Sequence, residues 1–281
     1  NVADNLHALG AKSDLIGVIR KDRFDSEFRA LLKKEKVSDR SLIVDSTRRT
    51  IVKERIVSDR QQLLRIDYET PDAISPRVEV QILKSVRARL RSRKAGDRIH
   101  ALVIQDYAKG LLSKKLVRSI VAAAKAARIP VLMDPNAKSS LELYRGATFM
   151  TPNTKEAEKL SGILIRDDAS LEAAGAKLLK GTGSPYVVIT RGKDGMAIFK
   201  RGSKKPELIP TYAREVYDVS GAGDTVISVM ALAYASGATI SEAAILGNLG
   251  GGVVVGKRGT ATCTPEELEA AMNATAESGL F

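Results

Sequence analysis

From residue 98 onward the chain repeats one pattern, a short apolar run followed by a longer amphipathic stretch. The runs A-L-V-I (101–104), P-V-L-M-D (130–134), A-T-F-M-T (147–151) and Y-V-V-I-T (186–190) are separated by helical periodicity over 114–127 and 170–179. Apolar runs of that length suit strands covered on both faces. Their alternation with helices predicts an α/β fold, a mostly parallel sheet between two helical layers. A hairpin-like piece, G-M-A-I-F-K (195–200), follows the last of them. With 281 residues and 44% apolar content, the chain can bury one large core.

Open parallel sheets bind ligands beyond the carboxyl ends of their strands. Asp106, Asp134, Asn153 and Thr190 each stand just after one of these apolar runs or at its end. Any one of them is equally well explained as a turn residue. Four on successive strands predict one lined crevice.

The segment D-V-S-G-A-G-D (218–224) precedes the apolar run T-V-I-S-V-M-A-L-A-Y-A. Small residues allow a tight turn, and the apolar run reads as a buried helix ending near Gly237. The amides of Gly221, Ala222 and Gly223 then lie at that helix's N-terminus, an anion site suited to phosphate. Asp224 puts a carboxylate beside that site. The placement is costly unless the carboxylate takes a proton from an attacking hydroxyl, which points to phosphoryl transfer. A glycine-rich N-cap with a solvated aspartate would give the same letters.

The N-terminal half reads differently. Residues 1–10, N-V-A-D-N-L-H-A-L-G, form an amphipathic helix with no strand before it. Residues 49–67 are rich in β-branched residues and alternate in polarity, a small two-faced β excursion. Ser75-Pro76 opens a helix with a cap and a first-turn proline, and Thr264-Pro-Glu-Glu267 is a capping box for the last helix.

Net charge is +12, much of it in R-A-R-L-R-S-R-K (87–94). Aromatics are only 4% with no Trp, so the stacking residues of a nucleic-acid site are scarce. The basic run is read as the solvated end of a helix, and the positive field as favouring anionic small substrates. No stretch approaches the ~20 apolar residues of a membrane span. A single cysteine, Cys263, excludes an internal disulfide and predicts a cytoplasmic setting. Two histidines, His7 and His100, do not make a histidine triad or a zinc site. The Walker-like string at 251–257 lacks the required Ser/Thr, since Arg258 stands there, and its apolar interior suits helix packing.

The pattern D-[TV]-[ST]-G-A-G-D before an apolar helix resembles the signature of the ribokinase-like (PfkB-type) carbohydrate kinases. That resemblance implies a three-layer α/β/α fold with a small β-sheet lid at 49–67. It also implies that Asp218 shapes the loop, that the backbone of Gly221, Ala222 and Gly223 forms the anion hole, and that Asp224 is the base. Asn153-Thr154-Lys155-Glu156 matches the family's N-x-x-E motif, which organises water, magnesium and nucleotide phosphates, with Glu156 reaching the metal through water. Thr190, Gly192 and Gly195 resemble the nucleotide-side loop, and Asn248 is the expected polar contact near the adenine. ATP and Mg2+ are implied, with a monovalent cation as a further candidate.

Longer strings, R-Q-Q-L-L-R-I-D (60–67), D-Y-A-K-G (106–110) and Y-R-G-A-T-F-M-T-P-N (144–153), are similar to the kinase half of the bacterial ADP-heptose synthesis enzymes. The resemblance implies phosphorylation of the anomeric hydroxyl of a heptose 7-phosphate. It places Asn1, Arg60, Gln62, Asp106, Lys109 and Asp134 on the sugar side, while the length and two-faced patterning of 49–67 predict that this lid pairs with its copy in a homodimer. One carbohydrate-kinase domain is expected over 1–281, with the family's first strand missing and no adenylyltransferase domain or H-x-G-H motif. Another PfkB-type kinase, for fructose, ribose or a nucleoside, is the nearest alternative. A non-catalytic nucleotide- or sugar-binding regulator is the other, and the presence of both Asp218 and Asp224 argues against it.

Overall fold

The computed structural model describes residues 1–277 except 59–60, 70, 93, 95 and 213–215. In chain order the elements are α1 (Val2–Ala8), β1 (Gly17–Ile19), α2 (Arg23–Lys34), β2 (Leu42–Val44), β3 (Val52–Ser58), β4 (Gln61–Tyr68), α3 (Pro76–Leu90), β5 (Leu102–Gln105), α4 (Lys114–Ala126), β6 (Val131–Asp134) and β7 (Phe149–Met150). They continue with α5 (Thr154–Ser161), α6 (Asp168–Thr182), β8 (Tyr186–Thr190), β9 (Met196–Lys200), β10 (Glu207–Ile209), α7 (Ala222–Ala235), α8 (Ile240–Val255) and α9 (Pro265–Glu277).

The main sheet runs β10-β9-β8-β7-β6-β5, parallel from β5 to β8 and antiparallel across β9 and β10. Its two faces carry two cores. Val131, Met133, Met150, Val187, Ile189 and Phe199 face α3, α4 and α6. Leu132, Phe149, Val188 and Ile198 face α7 and α8. Alternate residues of each strand thus enter opposite layers. Each fully buried Leu, Ile, Phe or Met contributes about 1.5–3 kcal/mol of transfer free energy. The expected three-layer α/β/α arrangement is what the chain adopts.

Two smaller pairs stand apart from the main sheet. β3 and β4 form an antiparallel ribbon with Ile56 opposite Leu64 and an irregularity between Ile56 and Val57. β1 and β2 form a parallel pair that the sequence pattern did not announce.

The Walker-like string begins in the last turns of α8, which ends at Val255, and there Gly251, like Gly247 and Gly250 just before it, serves packing. A Cβ on Gly247 would stand 2.6 Å from Met230 Cγ, and one on Gly250 would stand 2.8 Å from Val229 Cγ2, so small residues let α8 close on α7. The basic end of α3 is less solvated than its composition suggested. Arg89 is ion-paired with Asp14 and lies 3.7 Å from Asp97, which Arg40 also contacts at 3.4 Å.

Candidate active site

The site lies at the carboxyl edge of the parallel strands, where α7 begins. Asp218 accepts from Ser220 N at 2.9 Å, and these hydrogen bonds, with one from the Gly259 backbone, hold its carboxyl below the usual range. Its own amide donates to Val255 O, which anchors the loop to the end of α8. Gly221 is the N-cap at φ 83°, a conformation natural only to glycine, and no side chain caps the helix. Thr225 N donates to Gly221 O, so the first-turn amides that precede it have no intrahelical acceptor. Ala222 N donates to Val219 O at 3.3 Å, and a Cβ built on Gly223 meets nothing within 4 Å, so there is open space beside that residue. Asn1 stands close by, its Nδ2 3.7 Å from the Cβ position of Gly221.

Helix α1 is fixed to α7 by buried Asn5. Thr225 Oγ1 donates to Asn5 Oδ1 at 2.8 Å, and Asn5 Nδ2 donates to Asn1 O at 3.0 Å. Neither Asn5 nor Thr225 had been singled out. Their signal is a polar residue on the apolar face of each helix.

The strand register sets Gln105 of β5 beside Asp134 of β6. Gln105 Nε2 donates to Asp134 Oδ2 at 2.5 Å and to Asp224 Oδ1 at 3.0 Å. Thr151 Oγ1 donates to Asp134 Oδ1 at 3.3 Å. Burial first, then the neighbouring carboxylates of Glu156 and Asp224, push Asp134 up to about 7 against the donors that favour its charge. Glu156 is raised as well, chiefly by burial. Tyr107 reaches the same group. More than half of its side chain is exposed, yet its hydroxyl is raised by loss of solvent and by Asp224 and Asp134. Neither Gln105 nor Tyr107 was among the expected residues.

Asn153 and Glu156 form a reciprocal capping box on α5, with contacts of 3.0 and 2.9 Å. The N-x-x-E letters therefore have a local structural role whatever else they do. Thr154 Oγ1 donates to Thr190 O at 3.4 Å, joining this helix to the end of β8, and Lys155 is exposed. Gly192 and Gly195 frame the turn between β8 and β9, closed by Arg191 N donating to Gly195 O.

Three expected contacts are placed differently. Asp106 is buried and accepts from Ser139 Oγ, Tyr144 OH and Ala108 N at 2.6–2.7 Å, so it braces its own turn rather than facing a ligand. Asn248 is 7% exposed and donates to Pro210 O at 2.6 Å, tying α8 to the segment after β10. Lys109 pairs with Glu69 at 2.5 Å at the root of the β3–β4 ribbon, where Lys53 also reaches Glu69 and Asp67. Arg60 lies outside the described residues, and Gln62 is placed by its backbone in β4 opposite Val57.

The arrangement joins an open helix N-terminus to a group of carboxylates that have no ion-pair partner among the described residues. Anion-binding amides beside a general base are the parts that phosphoryl transfer needs. The model of the pfkB family carbohydrate kinases matches residues 1–267. This chain belongs to that family.

Its curated relatives include the bifunctional protein HldE of Geobacter sulfurreducens, 41% identical over 95% of this chain and 53% of the relative. HldE of Caulobacter vibrioides is 42% identical over 99% of this chain and 56% of the relative. The chain thus spans about half the length of the curated relatives it matches. Among solved structures, Arabidopsis thaliana ribokinase complexed with ribose and ATP superposes with a TM-score of 0.75 at 19% identity, covering 96% of this chain and 85% of that one. Escherichia coli phosphofructokinase-2 in complex with potassium gives 0.76 at 17%, covering 98% and 86%. At those identities the likeness is one of fold. Among the described residues no helix is long and apolar enough to cross a membrane.

Proposed function

We propose that this chain is an ATP-dependent sugar kinase acting on the anomeric hydroxyl of a heptose 7-phosphate, a step toward an ADP-activated heptose. The observation that carries the reading is Asp224 in the first turn of α7, directly after the 221–223 turn at a helix N-terminus that no side chain caps, and linked through Gln105 to Asp134. The choice of sugar rests on the likeness to HldE over nearly the whole chain.

In this reading Asp224 orients the acceptor hydroxyl and takes its proton. The sugar oxygen bonds to the γ-phosphorus as the bond from that phosphorus to the β,γ-bridging oxygen breaks, and ADP leaves. Proton transfer comes late in a loose transition state. Positioning and the helix-terminal amides supply most of the acceleration.

The raised Asp134 and Glu156 carboxyls, without ion-pair partners among the described residues, fit a divalent cation nearby. Among the described residues no cluster of three ligating side chains could hold a metal ion alone. Such a site suits Mg2+, which keeps several waters and binds phosphate oxygens, with Glu156 reaching it through water. Bound there, Mg2+ would offset charge on the phosphates. ATP as donor and the free, buried Cys263 fit a cytoplasmic setting.

The β3–β4 ribbon has the form of a lid. Leu63 and Leu64 are 61% and 52% exposed, Ile56 lies opposite Leu64, and Leu63 is the extra residue where the register shifts. An isolated two-stranded ribbon does not bury such residues by itself. One face covers the sugar and the other meets a second copy, giving a homodimer. Sedimentation at micromolar concentration should find the dimer, and a monomer there would refute this pairing.

The test of substrate is a panel with ATP as donor, following ADP release and the site of phosphorylation. Heptose 7-phosphate should exceed fructose, ribose and adenosine in kcat/KM by at least tenfold. A preference for any of those three would overturn the assignment of the sugar, and no turnover with any acceptor would favour a binding regulator.

A further inference from the structure

We propose that Gln105 is a positioning residue for phosphoryl transfer, its side-chain amide clamping the Asp224 carboxylate against Asp134 so that the other Asp224 oxygen faces the acceptor hydroxyl. The inference rests on Asp224 acting as the base. Gln105 ends β5, and its Nε2 carries two hydrogens, one for each of Asp134 Oδ2 at 2.5 Å and Asp224 Oδ1 at 3.0 Å.

The orientation of the amide is fixed by its neighbours. Turned over, Oε1 would face Asp224 Oδ1, acceptor against acceptor. In the orientation found, Oε1 is buried without a partner among the described residues.

Among the described residues, Gln105 makes the one hydrogen bond recorded to the Asp224 side chain. Asp224 sits in the first turn of α7, where a carboxylate with nothing to hold it samples several rotamers. A neutral amide suits the task better than a cation. Lys or Arg would hold the carboxylate but stabilise its charged form strongly and weaken it as a base, whereas an amide orients it with less loss of basicity. Orientation matters because a misplacement of about 1 Å at a reacting group costs on the order of 10²-fold in rate.

The clamp acts through Asp224, so its loss should count only where Asp224 is present. The experiment is a double-mutant cycle with Gln105→Met, which keeps length and removes both donors, and Asp224→Asn. The kcat and the KM for ATP are measured on whichever acceptor the wild-type chain phosphorylates, with thermal melts of all four proteins. In the wild-type background Gln105→Met should lower kcat by about tenfold or more and change the KM for ATP less than twofold. In the Asp224→Asn background the same substitution should change kcat less than twofold. Gln105→Leu, apolar and without donors, should lose at least as much as Gln105→Met and gives a second measurement if Met disturbs the fold.

Equal factors in the two backgrounds, or undiminished kcat in both Gln105 variants, would overturn the clamp. A wrong choice of sugar would appear instead as a change of acceptor and would leave the ratio intact.

Discussion

Replacing Asp134 by Asn tests the electrostatics of the site without needing a substrate. The unfolded chain releases this proton near 3.8, whereas burial, Glu156 and Asp224 hold it in the folded protein up to about 7. Between those values the folded state binds more protons than the unfolded state, so stability falls as pH rises, by up to 1.36 kcal/mol per pH unit. The contribution is fully present below 3.8 and fully lost above about 7. The whole displacement is worth about 4 kcal/mol, and partial solvent contact at Asp134 brings the expected value to about 2–3 kcal/mol. Asn still offers an oxygen to Gln105 Nε2 and removes the titration. Urea unfolding of both proteins at intervals from pH 5 to 8 should give Asn a relative stability that grows by about 2 kcal/mol over that range. Carboxylates held low elsewhere, such as Asp45 and Asp218, cancel in the difference. A difference constant with pH, or one that shrinks as pH rises, would mean that Asp134 ionises normally and that the carboxylates do not repel.

Asp224→Asn should lower kcat by about 10²–10⁴ with ATP binding kept or tightened, since an amide still accepts from Gln105; a folded variant with more than about a tenth of wild-type kcat would contradict the base assignment. Gly223→Ala should leave the melting temperature unchanged or raise it, the helix gaining up to about 1 kcal/mol, while kcat/KM falls at least tenfold because the methyl enters the open space over the anion site. Lys109→Ala should raise the KM for the sugar phosphate and leave that for ATP nearly unchanged, because the lysine ties the ribbon's root through Glu69; equal effects on both substrates would place it with the nucleotide or with the fold alone.

The layers of the fold were legible because fully buried strands and amphipathic helices leave unlike periodicities. The β1–β2 pair was not, since three-residue strands give too short a pattern to separate from loop. Within the site, the glycine turn and Asp224 at the start of α7 follow from the letters, while on β5 the residue that meets Asp224 is Gln105, one position before the expected Asp106. Taking the polar residue after A-L-V-I selected Asp106 and passed over Gln105. In a strand, neighbours point to opposite faces, and the two cores tell which face is which. Val103, Leu132, Phe149 and Val188 enter the core beneath α7 and α8. Two residues further on, past the ends of the apolar runs, come Gln105, Asp134, Thr151 and Thr190, on the face where α7 presents Asp224. Asp106 continues the other face, after Ile104 in the α3–α4 core, and there it meets Tyr144. A polar residue at the end of a parallel strand reaches the crevice only if its parity matches the layer that carries α7. With Asp224 at the start of α7, that parity alone separates Gln105 from Asp106.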